Sequence, residues 1–148
     1  MTLDDVDAFA TSLPDVVVGT KWGNRTWMVG NKGFAWQRPF SKADVKRFGD
    51  EPPPAGDILA VTVGNLDAKD ALLAIAPHGF FTIPHFNGYA AMLIALRAAS
   101  ASDVRAALVD AWRTVAPAAS VTKLDAKRSR TQRPATRTRR VARAKRAT

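Results

Sequence analysis

The alternation of apolar and polar positions divides the chain into short elements of changing period. Behind Thr2, a plausible N-cap, Leu3, Val6, Phe9 and Ala10 recur at helical spacing, so "TLDDVDAFATSL" predicts an amphipathic helix that ends near Pro14. Val16–Lys21, Thr26–Val29 and Gly33–Arg38 then read as strands joined by "WGNR" and "GNKG". Gly and Asn tolerate positive φ, so these joints suit tight hairpins and the three strands form a meander. In the second strand, alternation sets Trp27 and Val29 against Thr26 and Met28; in the third it groups Phe34, Trp36 and Arg38 on one face.

The remainder alternates helix and strand. "SKADVKRFGD" has Ser41 as a cap, Asp44 three residues on and Gly49 as a stop, the marks of a short helix. Three consecutive prolines make "EPPPAGD" a loop, and "ILAVTVG" is a strand apolar on both faces. "LDAKDALLAIAPHG" predicts a helix capped by Asp67 and Asp70 and stopped by Pro77; "FFTIPHF" is a short extended piece, and "GYAAMLIALRAA" is apolar enough for a central strand. In "SASDVRAALVDAWRTVAP", Val104, Leu108, Ala111, Trp112 and Val115 share a helical face. The order predicts an α+β fold, a two-layer sandwich of an antiparallel β-sheet with helices on one face.

Charge divides the chain in two. The net charge is +9, but residues 1–122 carry 11 basic and 12 acidic residues, whereas residues 123–148 carry 11 basic residues and only Asp125. The sequence thus predicts a folded domain over 1–122 and a disordered Lys/Arg-rich tail over 123–148, whose apolar side chains larger than alanine are Leu124 and Val141 alone. Within the domain, Val16 to Ala43 holds Lys21, Arg25, Lys32, Arg38 and Lys42 with no acid, a local positive field on an acidic body.

These features favour DNA binding over catalysis. Lys21, Arg25, Lys32 and Arg38 fall at strand ends and turns, where phosphate contacts are easy, with Trp22 and Trp36 beside them. In the tail, Lys127, Arg128, Arg130, Arg133, Arg137, Arg139, Arg140, Arg143, Lys145 and Arg146 suit DNA, RNA or another polyanion by counterion release, with little sequence specificity. The alternative is a domain that binds a protein or small molecule at "IPHFNGY", through His85, Asn87 and Tyr89, and is tethered to nucleic acid only by its tail. Cysteine is absent, which removes disulfides, thiolate nucleophiles and thiolate metal sites. The two histidines lack a ligand-spaced partner, and no nucleophile elbow, phosphate loop or dinucleotide fingerprint occurs, so no metal, cofactor or catalytic residue is expected. The longest apolar run, Tyr89 to Leu96, is short for a membrane span, and "MTLDDVDAF" carries three aspartates and no basic residue, so a cytoplasmic protein is expected, with association to the nucleoid as the corollary of DNA binding.

From Leu3 to Thr122 the chain resembles the MmcQ/YjbR family. The resemblance is carried by the first helix leading into "LPDV", by "WGNRTWMV", "GNKGFAW" and "FFTIPHFNGY", and by the closing helix "LVDAWRTVAP". It implies a frataxin-like (CyaY-like) fold and the DNA-binding role by which family members are described. Tyr89 stands where many members open the last strand with tryptophan, and the basic tail lies outside the family pattern. Asp4, Asp5 and Asp7 are too sparse to match the acidic ridge that frataxins use for iron, so the resemblance carries over no iron site.

Overall fold

The structure, a computed structural model, describes residues 1–130. Helix α1 (Leu3–Ser12) opens with a complete capping box. Thr2 N–H donates to Asp5 Oδ2 at 2.9 Å, and Asp5 N–H donates to Thr2 Oγ1 at 3.1 Å. Strands β1 (Val16–Lys21), β2 (Asn24–Val29) and β3 (Lys32–Gln37) form the expected meander. After the short α2 (Lys42–Arg47) come β4 (Ile58–Thr62), α3 (Leu66–Ile75), β5 (Phe80–Phe81), a 3₁₀ turn at Pro84–Phe86, β6 (Ala91–Ala95) and α4 (Ala101–Val115). All pairings are antiparallel, in the order β1-β2-β3-β4-β6-β5, which gives the α+β sandwich its single six-stranded sheet.

Two neighbouring rows of the sheet show how its faces differ. Val18, Trp27, Ala35, Val61 and Met92 are paired in register across five strands. Their row faces the long helices, where Val6 and Ala10 of α1 and Val104, Leu108, Ala111 and Trp112 of α4 are buried. Trp27 Nε1 donates to Asp7 Oδ1 of α1 at 2.9 Å, and Trp112 Nε1 donates to the Pro14 carbonyl at 3.1 Å, so both buried indoles are satisfied. The other row runs Gly19, Thr26, Trp36, Ala60, Leu93 and Phe81. Its β4–β6 half is covered by a second cluster of Ile83, Phe86, Phe40 and Phe48, while its β1–β3 half stays open.

Four expectations are corrected. A β-bulge between Trp27 and Met28 shifts the register so that Phe34 is the extra residue of β3. Phe34 and Ala35 are both wholly buried and Trp36 is only half-buried, so the alternation that grouped Phe34 with Trp36 and Arg38 breaks there. The first hairpin turns at Trp22-Gly23, and Asn24 already belongs to β2. The cap of α3 is Asn65, whose side chain accepts from Ala68 N–H at 2.8 Å; Asp67 sits in the first turn and Asp70 beyond it. Residues 118–130 are helical, so the expected disorder does not hold for 123–130. Pro117 starts that helix, its carbonyl accepting from Ser120 and Val121, and the Ala, Lys, Leu and Arg that follow are good helix formers. By contacts the chain divides into Met1–Ala116 and Pro117–Thr148, a boundary a few residues before the one the charge suggested. No helix among the described residues is long and apolar enough to cross a membrane.

Candidate functional site

The open half of the sheet carries a groove of about 510 Å³, within the size range of small-ligand sites. Its floor is Thr26 and Gly33, and its sides come from Lys21, Trp22, Asn24, Trp36, Arg38, Pro39, Ser41 and Tyr89. The floor lies low because β3 has no side chain at Gly33, where a Cβ would come within 3.2 Å of Thr26 Cγ2. No acidic residue lines it.

Trp22 is the most conspicuous wall. It occupies the first position of a two-residue turn, with φ 55° followed by Gly23 at φ 76°, and its side chain is 98% exposed. A left-handed conformation costs an ordinary L-residue about 1–2 kcal/mol, and asparagine tolerates it far better. Nothing in the fold offsets that cost, since the indole buries no surface. Trp22→Asn, which restores the preferred Asn-Gly turn pair, should therefore stabilise the protein by about 0.5–1 kcal/mol and raise Tm by a few degrees, as read by thermal unfolding.

The opposite wall is built, not free. Trp36 and Tyr89 meet with ring centroids 6.5 Å apart and planes tilted by 49°. Tyr89 in turn packs edge-on against Phe86 at 5.7 Å, and the Arg38 guanidinium lies 5.5 Å from the Phe86 ring centre. Lys69 of α3 holds this loop from beneath. Its ammonium, on a residue only 4% exposed, donates to the Phe86 carbonyl at 2.6 Å and to the Tyr89 carbonyl at 2.9 Å. Burial lowers the Lys69 pKa below its ordinary value, and neighbouring Asp70 opposes the shift. Sequence reasoning passed over Lys69; a lysine on the fourth residue after a helix cap, between Ala68 and Asp70, gave little sign of its burial.

The candidate cations have distinct roles. Arg38 pairs with Asp44 Oδ2 at 3.0 Å, and both side chains are largely withdrawn from water, so its charge is committed within the fold. It belongs to the groove wall, not to a set of free phosphate contacts, because the Ser41 cap of α2 brings Asp44 beside it. Lys21 is exposed and donates to the Asn31 carbonyl at 3.0 Å, leaving two N–H donors. Arg25 approaches Asp4 at 3.4 Å in an exposed pair worth little, and Lys32 is exposed at the second turn; neither lines the groove. Lys127, Arg128 and Arg130 are exposed on the helix of residues 118–130, and Arg133, Arg137, Arg139, Arg140, Arg143, Lys145 and Arg146 lie outside the described residues. Of the "IPHFNGY" residues only Tyr89 reaches the groove; His85 and Asn87 are exposed beyond it, the His85 ring tilted against Phe86 at 6.1 Å. Among the described residues no three His, Asp or Glu side chains converge as a metal site would require.

Fold and groove together define an α+β protein with a half-open sheet and an acid-free aromatic groove on the open half. The chain is 39% identical over 119 residues to uncharacterized proteins of Mycobacterium tuberculosis, Rv2570 and MT2646, and of Mycobacterium bovis, Mb2600. The match covers 78% of this chain and 89% of each relative, and the chain belongs to their family. No family model matches it, and no solved structure does.

Proposed function

We propose that the chain is a non-enzymatic nucleic-acid-binding protein of the MmcQ/YjbR type, acting in the cytoplasm. The observation that carries this reading is the acid-free groove rimmed by Lys21 and Trp22, with Arg25 and Lys32 on the same meander. Phosphates meet no carboxylate along its lining, and aromatic side chains stand beside the cations. The basic residues beyond Arg130 add sequence-independent affinity by releasing counterions.

The test is anisotropy of a dye-labelled DNA duplex titrated with the full chain, with Lys21→Ala/Lys32→Ala, and with a chain ending at Arg130, each at two salt concentrations. Seven Lys and Arg side chains lie beyond Arg130, so their removal should flatten the slope of log K against log salt by about six while leaving measurable binding. The double substitution should weaken the shortened chain about three- to tenfold. Binding that vanishes with residues 131–148 would favour the alternative, a domain whose groove takes a small ligand or a protein and which is only tethered to nucleic acid.

A further inference from the structure

Trp22 lacks an intramolecular reason for its position. A tryptophan 98% exposed, at a backbone angle that disfavours it, faces a groove whose other rings are fixed by Arg38, Phe86 and Lys69. Trp36 and Tyr89 are already in contact, so they form one continuous wall, and Trp22 stands apart from that pair as the third ring of the groove. Beside it, Lys21 keeps two donors for an anion.

We infer that this groove takes an unpaired nucleobase with its adjoining phosphate, the base stacked on Trp22 against the Trp36–Tyr89 wall and the phosphate on Lys21. The inference rests on the nucleic-acid reading and sharpens it, because it names the single strand as the preferred form. In a duplex the faces of the bases are stacked on one another and only their edges reach the grooves, so Trp22 would have nothing to stack on. An unstacked base offers its whole face, and any base does so, which makes the site tolerant of sequence. Arg38 is tied to Asp44 and its part is to hold the wall, while Lys69 is a positioning residue for Tyr89.

The experiment compares three dye-labelled probes on the full chain: a single strand of about twelve thymidines, an abasic strand of the same length, and a duplex. Trp22→Asn is the main variant, since the turn favours it and it should fold at least as well as the parent; Tyr89→Ala, at a half-exposed ring, is the second. Expected is a loss of about tenfold or more in affinity for the thymidine strand in each variant, with less than twofold change for the abasic strand and the duplex, and substantial recovery in Trp22→Phe. Thymidine monophosphate as competitor distinguishes the source: displacement only at far higher concentration identifies the strand, and displacement at equal concentration identifies a free nucleotide as the ligand. If all three probes bind the parent and Trp22→Asn changes none, or weakens all alike, the stacking inference is overturned while the nucleic-acid reading stands. If no probe binds the parent, both fall together.

Discussion

Trp112→Ala should lower stability by about 3–5 kcal/mol, a fall of roughly 10–20 °C in Tm by thermal unfolding. The indole is wholly buried on the apolar face of α4, and its removal opens a cavity that a rigid core fills only in part. It also leaves the Pro14 carbonyl without its 3.1 Å donor, where α1 turns into β1. Trp112→Phe separates the two contributions, since it keeps most of the volume and loses the hydrogen bond; it should cost about 1–2 kcal/mol. Equal losses in the two variants would mean that the hydrogen bond, and not the packing, dominates.

The second large effect is expected at Asp44, which is 3% exposed. Asp44→Ala removes a cap and the counter-charge of Arg38 at once, and should cost about 2–4 kcal/mol. Burial raises the Asp44 carboxyl pKa, but the Ser41 backbone N–H and hydroxyl and the Arg38 guanidinium outweigh it and hold the carboxyl below its ordinary 3.8. A carboxyl depressed in the folded state adds stability that is fully present above the unfolded value and is lost as pH falls through the folded one. The stability gap between parent and variant, measured by urea unfolding, should therefore hold at neutral pH and narrow below about pH 3.8. The same substitution loosens Arg38 over Phe86 and, through Phe86, the Tyr89 wall. Its effect on the groove is therefore indirect.

Much of the fold was legible because local rules and packing agree. Thr2 caps α1 as expected, Ser41 caps α2 with Asp44 three residues on, and Val104, Leu108, Ala111 and Trp112 are buried as their helical stripe predicts. The errors cluster where one residue alters a period or a count. A single bulge put Phe34 under the helices and Trp36 on the other face, and no residue in "GFAWQR" announces it. Asn65 outcompeted Asp67 because the chain is extended there, at φ −166°, which lets its amide oxygen reach Ala68 N–H. Residues 123–130 were judged with the tail on charge and on their few apolar side chains, although alanine and long-chain residues favour helix by themselves. Trp22 is the instructive case: a large ring placed just before a turn glycine must point away from both strands, so its exposure was readable once the turn was placed at Trp22-Gly23 instead of one residue later.

The unequal burial of the four tryptophans also gives the molecule an optical probe of its own. Trp27 and Trp112 are sealed from water, Trp36 is half-covered, and Trp22 is 98% exposed. Indoles in water emit to the red of indoles in a core, so the long-wavelength edge of the intrinsic emission belongs mainly to the hairpin tip. A neutral quencher such as acrylamide strips that edge first and leaves the blue remainder, which reports on the core. Occupancy of the tip and integrity of the fold can then be followed in one cuvette, at two wavelengths, without attaching a label.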